Sequence, residues 1–289
     1  MPVYNGAAYL PAALESMLGQ SFTEFELIVS DNASTDGSHE IALEFARNDE
    51  RIRVIRQTTN IGAPRNYHVV ATEARAPYFK WASGNDLVHP DLLRACVEVL
   101  DARPDCVLCY PRTRLFETDP AFGEDYEDGL DIQDDDPIER LRAVTERLRL
   151  NNAMNGVFRR EPLLRAGAMD DYVASDMVLM AELSLAGKFV EIPEVMFFRR
   201  NTPATSTHKR DVDEIMRQHH RRTGLRKLFQ AWRQCAGVSR AAVRAPLSPK
   251  DKVRATAFAC KTWVWKREAL FKDATDAFHL LLRSRGSNR

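Results

Sequence analysis

The first 110 residues alternate between short apolar strand signals and amphipathic helix signals, and that alternation limits the folds open to this chain more than any other feature. FELIVSD (25–31), IRVIR (52–56), YFKWA (78–82) and CVLCY (106–110) read as strands. Between them lie helix signals. Leu10, Leu14, Met17 and Leu18 form one helical stripe, with Pro11 near its start and Gly19 at its end. Asp36 is placed to cap a helix on which Ile41 and Phe45 share a face. Pro64 opens another, and Pro90 with Asp91 opens a fourth that runs to about Asp101. Strands separated by helices predict an α/β fold, with a mostly parallel sheet flanked by helices and its chemistry at the carboxyl ends of the strands.

Beyond residue 110 the pattern loosens. Glu117–Asp136 is rich in acids and reads as a solvated connection. It ends in Asp136-Pro137, an N-cap and first-turn proline, which predicts a helix to about Leu150. GVFRR (156–160) and KFVEIPEVMFFRR (188–200) read as later strands, and DMVLMAELSLAG between them as a helix closed by Gly187. From about residue 208 the chain turns basic and helical. Residues 201–289 hold 20 Lys and Arg against 7 Asp and Glu, and residues 1–200 hold 21 against 34, so a net charge of zero conceals an acidic body and a basic tail. In that tail Arg221, Arg222, Arg226, Lys227 and Arg233 alternate with Leu225, Leu228, Phe229 and Trp232, and Lys261, Lys266 and Arg267 with Trp263, Trp265 and Phe271. Two readings stand: interfacial helices lying on anionic lipid, or ordinary helices packed on the body of the fold. Nucleic acid is the weaker candidate, because no binding motif accompanies the charge.

Five cysteines without framework spacing suit a reducing compartment. Cys106 and Cys109 spell a CxxC, but on a strand positions three apart point to opposite faces, which predicts structural thiols. No stretch approaches the ~18 unbroken apolar residues of a membrane span. The expectation is a cytoplasmic protein, with peripheral contact at the inner face of the membrane as one reading of the tail.

Four polar segments stand where successive strands should end: PVYNG (2–6), SDNASTDG (30–37), NIGAPRN (60–66) and SGNDLVHPDLL (83–93). All four would meet at one crevice. An Asp or Asn there can hydrogen-bond a nucleobase edge, Tyr4 can stack on a ring, Gly62 admits a close backbone approach and Arg65 can face a phosphate. Asp31, Asn32 and Ser34 also have a plainer reading as turn and cap residues, and Arg65 as a surface residue. In order and spacing the four segments together resemble the family 2 glycosyltransferases, which have the GT-A fold, over about residues 1–206. The resemblance implies a nucleotide-binding half (1–110), an acceptor-side half (111–206) and a basic helical extension (207–289).

It also implies roles. Val3, Tyr4, Asp31 and Asn32 would hold the nucleoside of a sugar nucleotide. Asn60, Gly62, Arg65 and Asn66 would make base and diphosphate contacts. The family's acidic motif usually ends in paired Asp residues that hold a divalent metal. Here the matching positions are Ser83, Gly84, Asn85 and Asp86, so Asp86 and the amide of Asn85 are the candidate Mn²⁺ or Mg²⁺ ligands. An amide brings no charge, and metal affinity should fall. A His often follows the strand matching VMFFRR; here Asn201-Thr202-Pro203 stands there and His208 is the next histidine. Asp176 resembles the base of inverting members, although Ser175-Asp176 before an apolar helix also reads as an N-cap. Arg199 and Arg200 could offset charge on a departing diphosphate, and Asn152, Asn155 and Tyr172 lie on the acceptor side. The expected partners are a nucleoside diphosphate sugar, UDP-linked by default, and a hydroxyl acceptor on a glycan, a lipid carrier or another molecule. The rival reading is a nucleotide-sugar-binding protein without turnover. A nucleotidyltransferase would need a basic, glycine-rich phosphate loop, which PVYNGAAYL lacks.

In that fold an apolar strand of five or six residues precedes PVYN, and this chain starts at Met1. Loss of ~5 buried apolar side chains at ~1.5–3 kcal/mol each exceeds the net stability of a typical domain. The expectation is that further chain precedes Met1, or that the chain as it stands folds poorly alone.

Overall fold

In a computed structural model, which describes residues 1–172, 174–202 and 229–286 and the side chains of these as far as 278, the chain forms nine strands and ten α-helices among the described residues. The strands are β1 (Pro2–Val3), β2 (Leu27–Asp31), β3 (Ile52–Arg56), β4 (Tyr78–Phe79), β5 (Leu87–Val88), β6 (Cys106–Phe116), β7 (Glu124–Tyr126), β8 (Val157–Arg159) and β9 (Lys188–Arg200). The helices are α1 (Leu10–Leu18), α2 (Ser38–Asn48), α3 (Ala63–Glu73), α4 (Leu92–Ala102), α5 (Pro137–Arg147), α6 (Arg160–Arg165), α7 (Ser175–Ala186), α8 (Gln230–Arg244), α9 (Pro249–Trp265) and α10 (Arg267–Gly286). Pro203, His208, Arg221, Arg222, Leu225, Arg226, Lys227 and Leu228 lie outside the described residues.

Local chemistry explains most boundaries. Leu10, Leu14 and Met17 bury one face of α1 and Gly19 ends it. Every residue of β2 is buried, as in a strand covered on both faces. The Asp136 carboxylate accepts from the Ile138 N–H at 2.9 Å and Pro137 fills the first turn of α5.

The sheet is only partly parallel, which corrects the expectation. β1, β2 and β3 form a parallel three-stranded sheet. A second, mixed sheet runs β4-β8-β6-β9-β5, with β7 beside β6. There β6 and β9 are parallel, whereas β8 runs against both β4 and β6, and β5 against β9. Strand content was readable, but direction was not: β8 wedges between two strands of the opposite sense, and Phe158 on it buries its ring 5.4 Å from that of Trp81.

Two further expectations change. The acidic connection is not wholly solvated, since it contributes β7 and buries Asp128, Leu130 and Ile132, the last bridged to Phe189. Cys106 and Cys109 join one apolar cluster rather than opposite faces, because the β6 register shifts between Cys106 and Leu108.

Between β2 and β4 the two sheets are separated by a slot of about 460 Å³, lined by Leu27, Ile28, Val70, Phe79, Lys80 and Val97 among others. The Met1 amine extends the β1–β2 ladder there, donating to the Ile28 carbonyl at 2.6 Å, and Ser30 N–H donates to the Met1 carbonyl at 2.9 Å. Burial, with Lys80 nearby, holds that amine down at about 5. Helices α8 and α9 close the far side, where Ala241, Ala242, Ala255 and Phe258 pack with Leu141 of α5 and Ala181 of α7.

Candidate active site

The carboxyl ends of β1, β2 and β3 are joined by side chains drawn from three of the four polar segments. Asn5 sits at φ 48°, a left-handed conformation that Asn tolerates, and its Oδ1 accepts from Thr35 N–H at 2.9 Å. In return Asn5 N–H donates to Ser34 Oγ at 3.0 Å and Gly6 N–H to Ser38 Oγ at 2.9 Å. Asn32 ties the second segment to the third. Its Oδ1 accepts from Ile61 N–H at 2.8 Å and its Nδ2 donates to Asn60 Oδ1 at 3.1 Å. Gly62 adopts φ 89° and ψ 151°, a region open only to glycine, as α3 begins.

Within this frame the candidate residues differ in reach. Tyr4 is 47% exposed at the rim, whereas Val3 is buried beside Gly84. Asp31 is 1% exposed; its Oδ1 accepts from Ser34 N–H at 3.2 Å and its Oδ2 lies 3.7 Å from Arg56 and 3.9 Å from His39. Arg65 reaches Asp171 at 3.4 Å, linking α3 to the loop before α7. Asn66 faces β2: Ser30 Oγ donates to its Oδ1 at 2.6 Å and its Nδ2 donates to the Ser30 carbonyl at 2.8 Å.

The turn at 83–86 packs against the end of β9. The Ser83 hydroxyl donates to Asn85 Oδ1 at 2.6 Å, and Arg200 N–H donates to Asp86 Oδ1 at 2.8 Å. Arg200 also donates through Nε to the Asn85 carbonyl at 3.1 Å, with its guanidinium 4.5 Å from the rings of Tyr9 and Phe116. Burial raises the Asp86 carboxyl above its ordinary value, against the lowering effects of the Arg200 amide, Ser83, Arg199 and Lys80. Arg199 itself donates to Asn152 Oδ1. Lys80 donates to the Asn155 carbonyl, and burial pulls its ammonium down to about 8.

These donors do not by themselves fit a tightly held divalent ion. Among the described residues no three His, Cys, Asp or Glu side chains converge. Asp86 is the one carboxylate of the turn, and the Asn85 oxygen that would bind a metal already accepts from Ser83.

Across the crevice, Asp176 stands in the first turn of α7. Neither Ser175 nor Asp176 is the cap: that position is Ala174, at φ 60°, without a side-chain bond. The Asp176 carboxylate instead accepts from Asn151 Nδ2 at 3.0 Å. Tyr67 connects the two poles. Burial, with the carboxylates of Asp86 and Asp176 adding to it and Arg199 opposing, pushes its phenol up to about 12. Tyr9, Tyr67 and Asn151 are the site residues that the sequence reading passed over. Of the residues expected on the acceptor side, Asn152 is buried, and Tyr172 is buried beneath α8, its hydroxyl 2.7 Å from where a Cβ on Gly237 would fall.

The family model for glycosyl transferase family 2 matches residues 1–163, more than half of the chain. The protein belongs to glycosyltransferase family 2. An uncharacterised protein of Mycobacterium tuberculosis is 30% identical over 211 residues, which cover 68% of this glycosyltransferase and 57% of that relative. The putative glycosyltransferase EpsH of Bacillus subtilis is 30% identical over 124 residues, covering 43% of this chain and 36% of EpsH. The chain thus spans at most a little over half the length of these curated relatives. Among solved structures, Staphylococcus aureus TarS in complex with UDP-GlcNAc superposes with a TM-score of 0.64 at 16% identity, covering 91% of this chain and 70% of TarS. The Pyrobaculum calidifontis mannosyltransferase in complex with GDP-Man and Mn²⁺ gives a TM-score of 0.53 at 16% identity, covering 96% and 85%. At that identity the likeness shows the fold alone, α/β of the GT-A type.

Proposed function

We propose that this family 2 enzyme is an inverting transferase that moves a sugar from a nucleoside diphosphate, UDP by default, to an acceptor hydroxyl. The observation that carries the reading is the pairing of two poles across one crevice: Asp176, held by Asn151, and the 83–86 turn with Arg199 beside it, both within electrostatic reach of Tyr67. The nucleoside lies along Tyr4, Asp31, Asn32 and Asn60, and the diphosphate reaches Gly62 and the 83–86 turn. Asp176 takes the acceptor proton as the hydroxyl oxygen forms its bond to the anomeric carbon. The bond from that carbon to the diphosphate oxygen breaks on the opposite face, and its electron pair leaves with the nucleotide. Arg199 and Lys80 are the cations that offset charge at the departing end. The donor set at Asn85 and Asp86 supports weak metal dependence.

Asp176→Asn keeps the shape and removes the base. It should lower turnover by a factor of about 10² to 10⁴ while nucleotide affinity stays within about twofold. Parallel loss of both, measured by calorimetry and donor consumption, would place the base elsewhere. A second reading, nucleotide-sugar binding without turnover, rests on the internal engagement of Asn85 and Asp86. It predicts wild-type binding with no donor consumption by either form.

A further inference from the structure

Helices α9 and α10 each bury one face and leave the other open. On α9, Ala255, Phe258, Ala259 and Thr262 are buried, and on α10, Leu270 and Ala277. The open side carries Val253, Ala257, Cys260 and Val264 at helical spacing along α9, then Phe271 and Ala274 on α10. Helical hydrogen bonding runs through the junction, with Lys266 N–H donating to the Thr262 carbonyl at 3.0 Å and Leu270 N–H to the Lys266 carbonyl at 2.9 Å. Val253, Val264 and Phe271 are between 60% and 73% exposed, and Trp265, 54% exposed, packs edge-on against Phe258. Around them Lys250, Lys261, Lys266, Arg267 and Lys272 are exposed, against the exposed acids Glu268 and Asp276.

We propose that this face docks on an anionic lipid surface. An apolar stripe of this kind gains by entering the acyl boundary, and lysines and arginines flanking it are drawn to anionic headgroups. The same cations decide against a second copy of the chain, whose matching face would bring like charges together. No described helix is long and apolar enough to cross a membrane, so the contact is a surface one. This inference does not depend on the transfer chemistry.

The test is co-sedimentation of the full chain with phosphatidylcholine vesicles, with and without about 30% phosphatidylglycerol, in parallel with light scattering in the absence of lipid. The expected result is binding to the anionic vesicles alone, weakened at least about tenfold between 0.1 and 0.5 M salt. Val264→Glu with Phe271→Glu should abolish it at an unchanged melting temperature, because both side chains are already exposed. Equal binding to neutral and anionic vesicles, or none to either, would overturn the proposal. So would a lipid-free dimer that the same substitutions dissolve, which would give the face to a second copy.

Discussion

Asn66 shows what single residues disclose and what they conceal. The segment NIGAPRN offers Arg65 and Asn66 as adjacent candidates, but neighbouring helical residues point ~100° apart, so the two cannot both face the crevice. Arg65 turns outward to Asp171, and Asn66 is 2% exposed with both polar ends on Ser30. Asn66→Ala removes both hydrogen bonds to buried Ser30, leaving its hydroxyl only the longer one from Gln57 at 3.3 Å, at a cost of ~1–3 kcal/mol. Its melt should drop accordingly while the folded fraction binds nucleotide within about twofold of wild type. A large affinity loss at unchanged stability would instead make Asn66 a ligand contact. Asn151 illustrates the reverse case. In LRLNNAMNG the sequence offers adjacent asparagines, and nothing local says that the first meets a carboxylate 25 residues later.

Whole elements were more legible than their directions. Periodicity placed α1, β2, β3, α4, α5, α7, β6 and β9, because each buries a face that the pattern records. It missed β7, an edge strand of sequence EDY whose pairing is decided by the length of β6, and it could not order β8 between opposed neighbours. The junction of α7 with α8 was also invisible, since its key residue is a glycine. A Cβ on Gly237 would meet Tyr172 Oη and Val178 Cγ1, both at 2.7 Å. Gly237→Val should therefore force α8 away from α7 and lower stability by ~1–3 kcal/mol, read by denaturant titration. Nucleotide affinity, which the proposal places at the ends of β1–β3, should hold. An unchanged midpoint would mean that α8 is not seated on α7 as described.

At the scale of the molecule, the opposed charges of body and tail meet at that same junction. Burial pushes the Glu182 carboxyl up to about 7, with Arg244 and Arg240 opposing and Asp170 adding to the rise. Because the folded value exceeds the unfolded one, the contribution of Glu182 is whole below about pH 4.5 and is lost as pH climbs through 7. Comparing Glu182→Gln with wild type isolates that effect. The variant's advantage in melting temperature should grow from about pH 4.5 to 7 and stay level above, and an advantage independent of pH would contradict the assignment. The central claim is that the crevice at the strand ends holds a nucleoside diphosphate without needing a metal. Calorimetric titration of UDP, GDP and dTDP, each with a chelator and with Mn²⁺, tests it most directly. The account predicts that one of the three binds in chelator and that Mn²⁺ tightens it by less than about tenfold, or ~1.4 kcal/mol. Binding that vanishes without Mn²⁺, or silence from all three, would contradict it.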